Sequence, residues 1–388
     1  MISKEKCCGC SACVVRCPKS NISMNPDEEG FLYPYKKDSA VCGACTLCEA
    51  VCFYNRELQS TPPKSTYACK SNNDDIRMNS SSGGIFSLIA EFMLTQGGVI
   101  FGAAFDDECV LKHDVAEGED YKKFRRSKYV QSDMKDNYIK AKGFLDEGRH
   151  VLFTGTPCQI AGLQRFLNKV YTNLLCVDFI CHGVPSPLML RLHLEEIETQ
   201  AKSKAVDMRF RTKEGAWKKC TTTTAIMHDG TEIVTKRDPF MLGFLQNLYL
   251  RPACKSCMAN NYRSGEDITI GDYWGAETAN RKFDDDNGIS LTLVHSDKGR
   301  EIFNEVKIDM QVIDADLNHA LILNPNLVSS SRPHQKRDEF FALLRSGVPF
   351  SHCVNKFTKT HIEIVRELLS PSQVRHIQLF LSKIKKET

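Results

Sequence analysis

In the stretch SSSGGIFSLIAEFMLTQGG, the apolar residues Ile85, Ile89, Phe92 and Met93 fall three and four positions apart, the spacing that gathers them on one side of an α-helix. The serines ahead of it offer caps, and Gly97-Gly98 predicts its end. The next run, VIFGAAF, is short and almost wholly apolar, as a buried strand is. The clearest unit spans residues 151 to 181. VLFTG reads as a short buried strand, TPCQIAGLQRFL as a helix with Thr156 as cap and Pro157 in its first turn, and NLLCVDFIC as a second buried strand. Strand, helix and strand in that order predict a βαβ unit. LMLRLHLEEIETQAK predicts a longer helix. Residues 205 to 236 are β-rich with a hairpin turn at HDGT, and DITIGDYWG and SLTLVHS are further strands. The tail, roughly 310 to 388, carries helical runs such as THIEIVRELL and VRHIQLFLSKIKKE but no motif, and reads as packing or capping structure.

Before residue 60 the texture is different, because cysteine dominates it. LQSTPPKST supplies a Pro-Pro linker. The chain therefore divides into a cysteine-rich segment at 1–60, an α/β domain at 65–310 and a helical extension at 311–388. With 388 residues, 42% hydrophobic and 26% charged, it is long enough for such domains and a sizeable core. Lys plus Arg number 51 against 48 Asp plus Glu, so a net charge of +3 implies no polyanionic partner and no nucleic acid. MISKEK runs straight into cysteines without the apolar region of a signal peptide, and no run approaches the roughly 18 apolar residues of a membrane span. The expected compartment is the cytoplasm. Thiols stay reduced there, so 18 cysteines point to metal ligands or buried residues rather than disulfides.

Nine of the 18 lie in the first 52 residues. Cys7, Cys10, Cys13 and Cys17, followed by Pro18, are separated by two, two and three residues, and Cys42, Cys45, Cys48 and Cys52 repeat those gaps. This is the bacterial ferredoxin run, in which the fourth cysteine crosses to the other 4Fe-4S cluster. One cluster is thus expected on Cys7, Cys10, Cys13 and Cys52, and the other on Cys42, Cys45, Cys48 and Cys17. Tetrahedral zinc favours paired knuckles and suits three close cysteines poorly. Two features depart from the pattern: Cys8 is left over, and Phe53 stands where a proline usually follows the run.

Of the later cysteines, Cys69, Cys109, Cys176, Cys220 and Cys353 occur singly and read as small buried apolar residues. Cys254 and Cys257 form the hook CKSC, Cys158 opens a helix and Cys181 closes a strand. In open α/β sheets ligands bind beyond the carboxyl ends of strands, and two of these positions are such ends. On spacing alone, a third cluster, a structural zinc and separate burial remain alternatives.

SSSGGIF, SKYVQSD, GTPCQIAGL, VDFICHGVPSP, RPACKSC and DITIGDYWG occur in the order found in the coenzyme F420 hydrogenase/dehydrogenase beta-subunit family, which the chain resembles over about residues 65 to 300. The resemblance implies an FAD-binding α/β domain carrying a third 4Fe-4S cluster on Cys158, Cys181, Cys254 and Cys257. It also implies flavin contacts at Ser82, Gly83, Gly84, Lys128 and Tyr129. Two glycines at a helix start would let backbone N–H groups approach a phosphate.

The expected fold is thus an α+β, ferredoxin-like, two-cluster N-terminal domain, then an α/β flavin-binding domain with a mixed or parallel sheet, then a helical tail. The expected function is that of an iron–sulfur flavoprotein oxidoreductase. Single electrons would pass from a ferredoxin-like or other one-electron donor through the clusters to FAD, and on to an unidentified organic substrate. The resemblance is nearest to bacterial members that accompany cell-surface polysaccharide genes. Alternatives are an electron-relay subunit without its own substrate, of the F420 or hydrogenase type, and a non-enzymatic iron–sulfur interaction protein. No catalytic residue is assigned, and a homo-oligomer is compatible with the sequence. His182 is expected to hydrogen-bond a cluster sulfur in preference to donating a proton. Asp272 and Trp274 either line the pocket or serve as turn and core aromatic.

Overall fold

The computed structural model describes residues 1–213, 217–218 and 221–358. Its strands, in chain order, are β1 (Ile22–Pro26), β2 (Leu32–Lys36), β3 (Ser65–Ser71), β4 (Val99–Phe105), β5 (Leu111–Ala116), β6 (Val151–Gly155), β7 (Leu174–Phe179), β8 (Ala205–Phe210), β9 (Thr223–Met227), β10 (Glu232–Thr235), β11 (Ile268–Asp272), β12 (Ser290–Val294) and β13 (Met310–Asp314). Eight of them form one sheet in the order β13-β3-β12-β11-β7-β6-β4-β5. The middle is parallel, β4 with β6, β6 with β7 and β7 with β11, and antiparallel pairs complete both flanks. The sheet is therefore mixed.

A parallel centre needs cover on both faces. Val151, Leu152 and Phe153 of β6 are wholly buried, with Leu152 facing a layer that includes the helix Ile85–Thr95. Val151 and Phe153 face the opposite layer, built from helices Asn137–Asp146 and Pro157–Leu167. The expected βαβ unit is present, and Thr156 with Gln159 forms a capping box at the start of its helix. The helix at 85–95 differs from expectation at its start. Its N-cap is Gly84, at φ 96°, and no serine caps it. Glycine fits that left-handed position without a Cβ penalty, which leaves the serines free for other bonds.

Helix Pro187–Ala201 packs with β8, β9 and β10 into a second apolar layer. The tail joins this body. Its first element is a strand, β13, added beside β3 at the sheet edge, and Phe340, Phe341, Phe350 and Cys353 from helices Arg337–Arg345 and Phe350–Phe357 are buried in that same layer. Cys69, Cys109 and Cys176 are buried too. Cys220 and the runs THIEIVRELL and VRHIQLFLSKIKKE lie outside the described residues.

The N-terminal segment is a β1-β2 hairpin flanked by short helical turns at Ala12–Val15, Ser39–Cys42 and Leu47–Ala50. It sits on the body through apolar contact. Ala12 and Val51 pack with Ile160 and Leu163, while Phe53, only 1% exposed, packs with Ala161 and Ala259. Phe53, in the place usual for proline, thus docks the segment on the helix at 157–167.

Candidate functional site

The carboxyl ends of β6, β7 and β11 open into a cavity of about 650 Å³. Its wall brings together Cys158, Cys181, Cys254 and Cys257 with Ser82, Gly84, Lys128 and Tyr129. Cys158 comes from the first turn of the helix after β6, Cys181 from the loop after β7, and the other two from the 3-10 turn Pro252–Ser256 and the residue after it. Each of the four lies in the electrostatic reach of others in the set. Burial raises the thiol of Cys254 to about 11 and that of Cys257 to about 12, and also raises Cys181. Cys158 is the opposite case. A hydrogen bond from Cys8, another from the Thr156 hydroxyl and the charge of Arg251 draw it down to about 7.

Among the N-terminal cysteines, Cys13 and Cys52 each interact electrostatically with Cys7 and Cys10, and Cys13 also with Cys48. Asn21 links Cys17 and Cys42, its backbone N–H donating to Cys17 Sγ at 3.4 Å and its side-chain amide to Cys42 Sγ at 3.3 Å. Cys45 is exposed. Sulfurs on a single tetrahedral zinc would stand about 4 Å apart, and among the described residues no three His, Cys, Asp or Glu are gathered to hold one metal ion. The donors in these sets are all cysteine sulfurs, the ligand type that 4Fe-4S clusters use.

Cys8, without a role in the spacing, acquires one in space. Its thiol hydrogen-bonds Cys10 of the N-terminal set and Cys158 of the cavity set, and it lines the cavity. Beside it Cys10 packs so closely on Gly162 that an added Cβ there would meet its sulfur at 3.0 Å. Arg251, 1% exposed, closes the same seam. Its Nε donates to Cys7 O at 2.7 Å, Nη1 to Gln131 Oε1 at 2.7 Å and Nη2 to Leu32 O at 3.0 Å, and its guanidinium lies over Tyr33. Among the described residues no carboxylate pairs with it. A buried cation without a counter-ion is costly, and its charge helps to lower the thiols of Cys10 and Cys158. No spacing rule could have found Arg251, because its partners are 244 and 120 residues away.

The expected flavin contacts divide. Gly84, Ser82, Lys128 and Tyr129 line the cavity, and Gly83 does not. The Gly83 N–H is spent on Ser290 Oγ at 2.9 Å, and a Cβ there would meet Cys69 O at 2.2 Å, so this glycine serves close packing rather than a phosphate. Lys128 is half-buried with its ammonium on the carbonyls of Arg125 and Arg126, and desolvation lowers it to about 7. His182 lines the cavity beside Cys181, edge-on to Phe244 at 4.9 Å, and burial lowers its pKa. Asp272 and Trp274 both line the cavity. Asp272 pairs with Arg211, and Trp274 stacks on Trp217 at 4.9 Å. Deeper in the wall, His113 Nε2 bonds Thr154 O at 2.9 Å and Nδ1 meets Ser132 Oγ at 2.8 Å. Burial lowers this imidazole to about 4, so it is neutral.

Residues 148–317 match the family described as the C terminus of the coenzyme F420 hydrogenase/dehydrogenase beta subunit, a stretch that holds all four cavity cysteines. Over 58 residues, 15% of this chain and 73% of the relative, the sequence is 36% identical to the uncharacterized ferredoxin MJ0722 of Methanocaldococcus jannaschii. Among solved structures, a chain of the xenon-derivatized F420-reducing NiFe hydrogenase complex from Methanosarcina barkeri is 17% identical with a TM-score of 0.46. That match covers 76% of this chain and 91% of the other. No helix among the described residues is long and apolar enough to cross a membrane.

Proposed function

Because the chain belongs over residues 148–317 to the coenzyme F420 hydrogenase/dehydrogenase beta-subunit family, we propose that it is an iron–sulfur oxidoreductase that takes single electrons at its N-terminal segment and uses them on an organic substrate in the cavity. The observation that carries this reading is the convergence of Cys158, Cys181, Cys254 and Cys257 on one large cavity, joined through Cys8 to the ferredoxin-like cysteines. Cys7, Cys10, Cys13 and Cys52 would hold one 4Fe-4S cluster, Cys42, Cys45, Cys48 and Cys17 a second, and the cavity cysteines a third. Ser82, Gly84, Lys128 and Tyr129 would contact FAD. Such clusters supply one-electron carriers, and a flavin supplies exchange between one- and two-electron chemistry.

The residues themselves do four things in this reading. The exposed Cys45 marks the face that a one-electron donor, ferredoxin-like in kind, would approach. Cys8 and Arg251 hold the two cysteine sets in contact across the seam. Neutral His113, Ser132 and Gln159 fix the wall behind Cys158, with Gln159 Nε2 donating to Ser132 Oγ at 2.9 Å. The apolar cavity wall of Ile85, Phe124, Val177 and Ile270 keeps water from the reacting region. A cytoplasmic setting and a link to cell-surface polysaccharide synthesis belong to the same proposal.

Anaerobic purification followed by iron, sulfide and flavin analysis tests it. Three cubanes require about twelve irons per chain, with one FAD. About eight irons and no flavin would contradict the reading, since two ferredoxin clusters alone supply that many.

A further inference from the structure

Arg211 follows β8 and lines the cavity at only 8% exposure. Its Nη1 donates to Asp272, and to the Tyr129 hydroxyl at 3.1 Å. Its guanidinium lies over Trp274, 5.1 Å from the ring centroid. The other edge, Nε and Nη2, is buried with no hydrogen-bond partner among the described residues. Leaving two charged donors dry is expensive, and Arg N–H groups side by side are the fork that grips two oxygens of one oxyanion. The residue is held there at φ 54°, a conformation costly for a side chain with a Cβ, so the fold imposes this position on it.

The surroundings favour a negative ligand. Asp272 balances one positive charge, while Arg126, Lys128 and Lys213 remain close by. Lys213 spends its donors on the carbonyls of Arg77, Ser82 and Asn287 and not on a carboxylate. The unpartnered fork of Arg211 thus lies in the cavity wall, with Arg126 as a further cation lining it.

We propose that the Nε/Nη2 edge of Arg211 is the docking point for an oxyanion: the carboxylate of an organic substrate, or the phosphate of a nucleotide-like ligand. This rests on reading the cavity as the reaction site, but it requires neither iron nor electrons. The chain has two tryptophans, Trp217 and Trp274, stacked on each other beside Arg211. Their intrinsic fluorescence therefore reports occupancy directly.

The as-purified protein is titrated with benzoate, with its neutral counterpart benzamide and with inorganic pyrophosphate. Saturable change with benzoate identifies the carboxylate source, and with pyrophosphate the phosphate source. Either affinity is expected to fall at least tenfold in both Arg211→Met and Arg211→Lys, since lysine keeps the charge but not the fork. If Arg211→Met does not fold, the lysine variant decides. Two outcomes overturn the proposal: no saturable response to either anion, or responses that survive in the variants or are matched by benzamide. Iron and flavin analysis of the same samples reports separately on the redox reading.

Discussion

The two regions that carry cysteines are built by different means. In the first 52 residues the expected ligand spacing is mostly local, with three cysteines of each expected set in one short run and the fourth in the other run, and part of that set, at Cys45, stays exposed. The cavity set has no local spacing beyond CKSC. It comes together only because β6 and β7 run parallel and side by side, and because the turn at 252–256 folds back against them. The first arrangement suits an electron entrance that must be reached from outside. The second suits a site kept dry beside a substrate, where burial, with neighbouring cysteines adding to it, pushes Cys254 and Cys257 up to about 11 and 12. The seam between the regions should therefore be the most sensitive part of the molecule, because nothing in either spacing pattern maintains it.

The largest expected effect is at the seam itself. Arg251→Met leaves Cys7 O, Gln131 Oε1 and Leu32 O without their donor, which should cost about 5 kcal/mol at about 1–3 kcal/mol for each orphaned group. Denaturant unfolding should reveal the loss, and cleavage by a protease in the linker at 57–64 should accelerate as the segment detaches. Phe53→Ala removes the buried ring between Ala161 and Ala259 and should cost about 3 kcal/mol in the same unfolding experiment. A variant as stable as the parent would mean that the segment is not docked by this residue.

Acid should act on the body rather than the segment. His113 is held near 4 in the folded chain and titrates near 6.5 when exposed. The unfolded chain therefore takes up a proton first, and stability falls as pH drops from 6.5 through about 4. The loss amounts to about 3 kcal/mol, at about 1.4 kcal/mol per pKa unit. His113→Asn should flatten that part of the stability profile.

The smallest effect concerns Cys8, which belongs to the segment by sequence and to the cavity by contact. Its hydrogen bond favours anionic sulfur at Cys158, and hydrogen bonds to ligand sulfurs move cluster potentials. Cys8→Ala should disfavour the reduced form of the proposed cavity cluster about tenfold, about 59 mV for one electron. Potentiometric titration followed by electron paramagnetic resonance reads the shift. Cys8→Ser should restore part of it.

Legibility follows the same division. The βαβ unit at 151–181 is evident because its strands are continuous apolar runs and Thr156-Pro157 marks the helix start. The hairpin turn at HDGT is evident from its turn residues. By contrast β3, β5 and β13 give no sequence signal. In β3 the run STYACKS mixes polar and apolar residues although four of its positions are buried in the assembled sheet, so tertiary pairing decides it. Serines before residue 85 read as caps by type, yet Gly84 holds that position through its backbone angle. Cys8, Arg251 and Arg211 cannot be read in advance, because their significance lies in contacts between segments far apart in the chain.

In the proposed function the cavity cysteines hold a cluster standing between the N-terminal segment and a flavin. Cys257→Ser tests it most directly, by iron analysis together with the flavin absorbance when a reduced ferredoxin is added anaerobically. The expected result is a loss of about four of about twelve irons, with flavin still bound and no longer reduced. Retention of all the iron, or flavin reduction at the parent rate, would contradict the account.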